Sequence, residues 1–159
     1  MRSEAPRDPV LSPPDSPPPL NPVALKLGHA GLIPFVLGAA LVWLTSQDPE
    51  SQYYAALGLS AYAGLIVSFL GGIHWGLAFR QPVPSPLPFA WGVVPSLLGW
   101  VGIVMPPYAG LVVLGAALVA CYLVDRKLYP EQGMGRWLTL RFRLTAIASL
   151  CCFLGAAGV

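Results

Sequence analysis

A chain of 159 residues that is 55% hydrophobic and 10% charged cannot solvate its own surface in water, where about 25% charged residues is usual. Its net charge of +2 is too small to point to nucleic acid or an acidic partner. A soluble globular domain is excluded, and the bilayer is the solvent for most of the chain.

The first 24 residues stand apart, dense in proline with mixed charge and no apolar run. Such a stretch buries too little surface to offset the entropy of ordering, which predicts a disordered, partly polyproline-like tail. No apolar run follows Arg2 or Arg7 as a secretory signal requires, and Glu4, Asp8 and Asp15 oppose the acid-poor composition of a transit peptide.

Five apolar segments follow, each close to the roughly 20 residues that cross about 30 Å of hydrocarbon. The first runs from Leu25 to Leu44 and is interrupted by Gly28, Gly31, Pro34 and Gly38. The second, Tyr53 to Phe79, is long enough to tilt. The third, Phe89 to Met105, carries Pro95 and ends at Pro106–Pro107. The fourth, Tyr108 to Val124, is expected to stop at Asp125–Arg126–Lys127, and the fifth runs from Arg136 to about residue 157. Asp48–Pro49–Glu50 turns the first segment into the second. Pro82, Pro84, Pro86 and Pro88 predict a stiff extended connector before the third. The predicted fold is an all-α membrane protein, a compact bundle of five transmembrane helices over residues 25–159.

Orientation follows from the cations. Arg2, Arg7, Lys26, Arg80, Arg126, Lys127, Arg136, Arg141 and Arg143 all fall on one side of this pattern, while the loop on the other side carries Asp48 and Glu50. The positive-inside rule then predicts a cytoplasmic N-terminus and an outside C-terminus. Trp75, Trp91 and Trp137 cluster toward the cytoplasmic ends, and Trp43, Tyr53, Tyr54 and Tyr108 toward the outer ends, as two interfacial belts require. The expected location is a bacterial inner membrane, with a mitochondrial inner membrane second.

Helices in lipid gain no hydrophobic force from one another and pack through small residues that let backbones approach. Gly64, Gly71, Gly72 and Gly76 in the second segment, and Gly92 and Gly99 in the third, are the expected packing positions. They place the second segment at the centre and favour contacts within one chain over a homodimer; the oligomeric state stays open.

Polar residues inside or beside the spans are His29, Ser68, His74, Arg80, Ser96, Asp125, Arg126, Arg141 and Arg143, with Thr145 and Ser149 deeper in the fifth. Ionisable groups at such depth are costly and usually face the bundle interior, so the first nine form a candidate pocket at the cytoplasmic face. Asp125 has Arg141 or Arg143 as its expected partner. These two arginines lie two positions apart and cannot share a helical face. His74, flanked by Gly71, Gly72 and Gly76, suits either a proton relay or a hydrogen bond to a neighbouring helix. In the plainer alternative, the arginines reach lipid phosphates and Asp125 pairs one of them. Two histidines without a third ligand make neither a metal nor a haem site, and Cys121, Cys151 and Cys152 read as core residues. Neither a catalytic residue nor a cofactor is expected.

Gly31–Phe35, Ser68–Gly76 (SFLGGIHWG), Pro95–Trp100, Tyr122–Arg126 and Leu140–Thr145 together resemble the domain of unknown function 3429 family, the transmembrane protein 69-like integral membrane proteins. The SFLGGIHWG run is the most specific of these, and the resemblance covers Leu25 to the C-terminus. It implies bacterial inner membranes or mitochondria and brings no activity.

The expected function is a bundle that binds a membrane-protein partner, as an accessory or assembly subunit of a membrane complex. The alternative is a carrier or enzyme handling a small molecule, lipid or proton at the cytoplasmic face, with His74 transferring protons, Arg141 or Arg143 holding an anion and Asp125 orienting. A standalone channel is third, since five spans leave little room for a pore.

Overall fold

A computed structural model describes residues 20–83 and 85–159. The predicted tail lies outside the described residues over 1–19, as does Pro84 of the proline connector. The described residues are helical, with no strand among them: α1 (Pro22–Ala30), α2 (Ile33–Leu44), α3 (Pro49–Ala78), α4 (Pro86–Val104), α5 (Pro107–Glu131) and α6 (Leu138–Gly158). Five spans are long and apolar enough to cross a membrane, α1 and α2 together making the first. Leu65, Trp100, Val112 and Leu150 are exposed, an apolar surface suited to acyl chains.

The first span departs from the single helix expected of it. It begins earlier, at Pro22, where the Asn21 side chain accepts the Val23 N–H at 2.8 Å and proline at the first helical position forfeits no bond. It then breaks at Gly31–Leu32. Pro34 has no N–H to give Ala30, and its ring crowds the turn that ends there. Tyr62 of α3 donates to the Gly31 carbonyl at 2.9 Å, satisfying an oxygen exposed by the break.

α3 is the central rod, about 45 Å long at the helical rise and so tilted in about 30 Å of hydrocarbon. Its buried positions, Ala56, Leu59, Ala63, Val67, Leu70, His74 and Ala78, recur every three or four residues. The helix touches α2, α4, α5 and α6. Phe35, Val42, Leu111, Leu114 and Leu118 complete the core around it.

Against α4 the contact is backbone to backbone. The helices run antiparallel, and glycines seven apart on each come face to face, Gly64 with Gly99 and Gly71 with Gly92. A Cβ on Gly99 would lie 2.8 Å from the Gly64 carbonyl oxygen, and one on Gly92 2.8 Å from that of Gly71. Gly72 and Gly76 differ from the expectation. A Cβ on either meets nothing within 4 Å, because one and five residues beyond Gly71 the helix has rotated them outward.

Two further expectations are corrected. Pro86 and Pro88 do not extend the connector but open α4, whose first-turn N–H groups lack intrahelical partners in any case. The fourth span does not stop at Val124; α5 continues through Asp125, Arg126 and Lys127 to Glu131. Charge does not break a helix when one residue is paired inside and the next two are exposed. The turn after α5 is closed by Gly133, whose φ of 71° suits glycine alone, and Met134 donates to the Tyr129 carbonyl at 2.8 Å.

Candidate functional site

At the end of the bundle where α3 and α5 finish and α6 begins, three buried ionisable residues meet. Asp125 accepts from Arg141 Nε through Oδ2 at 2.8 Å and from His74 Nε2 through Oδ1 at 2.9 Å. Arg141 Nη1 donates in turn to Thr145 Oγ1 at 2.8 Å, one helical turn along α6. A carboxylate only accepts, so the shared proton of the His74 contact sits on Nε2. Each residue comes from a different helix, and the cluster ties α3, α5 and α6 together.

Burial makes this arrangement costly. His74 and Asp125 are each 1% exposed and Arg141 is 9% exposed. Withdrawing an ion from water costs several kcal/mol, offset only where pairing and hydrogen bonding are good. Here pairing is incomplete: His74 Nδ1 and Arg141 Nη2 are buried without a hydrogen-bond partner. Tyr129, 2% exposed and four residues after Asp125 on the same face of α5, lies against Asp125 and Arg141, its ring centroid 6.2 Å from that of His74.

Of the nine expected pocket residues, the structure brings together His74, Asp125 and Arg141. Arg143 is exposed, because two positions from Arg141 it points to the opposite side of α6. Arg80, Arg126 and His29 are also exposed, and His29 Nδ1 lies 2.8 Å from its own helix's Leu25 carbonyl. Ser68 and Ser96 pair with each other at 2.9 Å across the α3–α4 seam, lining a separate shallow cavity of about 320 Å³. The single nine-residue pocket is therefore corrected to a three-residue cluster and an independent serine pair. Tyr129 was not legible once α5 was expected to end at Val124. Its signal is the four-residue spacing from Asp125, and Thr145 repeats that spacing from Arg141.

A cavity of about 520 Å³ adjoins the cluster, enclosed by α1, α2, α3, α5 and α6. Arg141, Thr145 and Tyr129 line one part of it; Leu27, Phe35, Phe69, Trp137 and Leu144 are among the apolar residues of the rest. It exists because the first span is broken. α1, none of whose residues is buried, forms its outer wall, while α2 packs into the core.

Fold and site together define a multi-pass helical membrane protein with a buried, incompletely paired charge cluster beside an apolar cavity. The family model described as "Protein of unknown function (DUF3429)" matches residues 20–157, and the chain belongs to that family. The chain is similar to "Transmembrane protein 69" of Xenopus tropicalis, 36% identical over 135 residues, which is 79% of this chain. It spans about half (50%) the length of that relative. No solved structure matches.

Proposed function

We propose that the protein binds a small molecule dissolved in the membrane, holding its polar end at the His74–Asp125–Arg141 cluster, and serves as a carrier or ligand-presenting subunit. The observation that carries this reading is the sharing of Arg141. It belongs both to a buried ion cluster with unmet hydrogen-bonding capacity and to the wall of a cavity of about 520 Å³. Ligand sites are commonly about 300–1,000 Å³, apolar with a few converging polar groups. A purely structural ion pair needs no such space beside it. By the positive-inside rule the cluster lies at the cytoplasmic end of the bundle, in our reading within a bacterial inner membrane.

The test is native mass spectrometry of the full chain released from nanodiscs. The expected result is a retained small molecule that is lost from Ala24→Trp, which places an indole in the cavity wall away from the cluster. A wild-type protein that carries nothing and matches the variant after exposure to a total lipid extract overturns the reading.

A second reading, an accessory subunit that docks a membrane partner, is favoured by Gly72 and Gly76. Both present open backbone on the outer face of α3. Leucine at both positions is then expected to abolish a defined assembly seen in native nanodiscs while leaving the cavity occupied.

A further inference from the structure

We propose that the cavity takes the acyl chain of an amphiphile bearing an anionic oxygen head, a carboxylate or a phosphate, and that Arg141 reads the head. This rests on the ligand-binding function above and names its ligand class.

The cavity walls select the chain. Leu27, Phe35, Phe69 and Leu144 offer no hydrogen bonds, and the polar side-chain groups of the lining are Arg141, Thr145, Tyr129 and the indole N–H of Trp137, donors or hydroxyls all. One end of the ligand must therefore be apolar and the other an acceptor. Arg141 spends Nε on Asp125 and Nη1 on Thr145, which leaves Nη2 buried and unpaired. A guanidinium N–H in that state carries a desolvation cost that an oxygen acceptor removes, and charged acceptors remove it best.

Local charge selects the sign of the head. Asp125 balances Arg141, but among the described residues the same end of the bundle carries Lys26, Arg80, Arg126, Lys127, Arg136 and Arg143 against one further carboxylate, Glu131. An incoming anion meets a net positive field. Depth agrees. Arg141 is the fourth residue of α6, about 5 Å from the helix start, where a lipid headgroup resides while its chain runs inward. Because α1 has no buried residue, the wall it forms is the thinnest side of the cavity and the route by which a chain enters from lipid.

The experiment uses the full chain in nanodiscs of zwitterionic lipid and follows quenching of Trp137 as the difference between wild type and Trp137→Phe. The probes are dibromostearic acid, dibromostearyl alcohol and phosphatidylglycerol with a dibrominated chain. The acid is expected to bind at least about 10-fold more tightly than the alcohol, and Arg141→Gln is expected to weaken the acid by about 10- to 100-fold with little change for the alcohol. If brominated phosphatidylglycerol also quenches and competes with the acid, the head comes from a bilayer phospholipid; if it does not, the ligand is a free acid.

The triple variant His74→Phe, Asp125→Leu, Arg141→Leu removes the cluster without stranding a charge or the buried imidazole. It is expected to retain alcohol binding and lose the preference for acid, so misfolding of Arg141→Gln alone does not decide the outcome. Equal affinity for acid and alcohol in wild type overturns the head assignment while leaving a ligand site in place. Quenching by none of the probes beyond the level of Ala24→Phe, which fills the same wall without adding an indole, overturns the assignment and the ligand-binding function together.

Discussion

Between α3 and α4, Gly64 faces Gly99 and Gly71 faces Gly92 with backbones nearly touching, whereas one turn further along α3 His74 meets Asp125 and Arg141 through hydrogen bonds. At these glycine crossings the seam contains no ionisable group and leaves no room for a methyl, and the shallow cavity beside the Ser68–Ser96 pair is bordered by neutral side chains. The charged end leaves two polar nitrogens unpaired and a cavity beside them. Packing alone would be served by the first arrangement everywhere, since replacing a buried ion pair with well-fitted apolar side chains is commonly neutral or stabilising. That contrast between a region stabilised by close approach and one that buries charge is the ground for the ligand-binding reading proposed above.

The comparison breaks most sharply at Asp125. Asp125→Ala strands Arg141 and is expected to cost about 3–5 kcal/mol, read by steric trapping or thermal unfolding in detergent. Replacing the whole cluster, His74→Phe with Asp125→Leu and Arg141→Leu, is expected to recover most of that loss. A triple variant no more stable than Asp125→Ala would mean that the cluster is structural after all. Next comes the seam. Gly92→Ala pushes a methyl against the Gly71 carbonyl and the Trp75 ring and is expected to cost about 1–3 kcal/mol. Gly72→Ala, with open space, is expected to be neutral or stabilising by up to about 1 kcal/mol. Equal effects at the two positions would dissolve the distinction between inward and outward glycines.

Smaller still, Ser68→Ala removes one interhelical hydrogen bond and is expected to cost about 0.6 kcal/mol, the usual value for such bonds in lipid. The smallest effect belongs to Asp48, which caps α3 outside the spans. The Ser51 hydroxyl, followed by the backbone N–H groups of Glu50 and Ser51, holds its carboxyl below the ordinary carboxylate range. A depressed folded-state value means stabilisation that is complete above the unfolded pKa and lost as pH falls through the folded one. Amide exchange at Glu50 and Ser51 is therefore expected to show no Asp48-dependent change near neutrality and faster opening only in strong acid.

Much of the fold was legible because crossing a bilayer is a local property. Hydropathy over about 20 residues marks each span, and the glycines of the seam announce themselves by a seven-residue repeat on both helices. The chain also shows which residues are expensive: Asp125 and His74 stand out as ionisable groups at the edge of hydrocarbon. The ends of helices were less legible, since Asp125–Arg126–Lys127 reads as a stop by composition yet continues as helix when Asp125 is paired inside.

The amino-acid sequence by itself determined the five spans and the gathering of cations at one end of them, because both follow from side-chain chemistry read over one or two dozen neighbours. Only the tertiary structure decided that Arg141 rather than Arg143 meets Asp125, that His74 completes the cluster while Ser68 and Ser96 keep to themselves, and that a cavity lies beside it. Those outcomes depend on how far each helix is rotated about its axis and where it crosses its neighbours. A rotation of 100° per residue turns a one-position difference in register into a different partner.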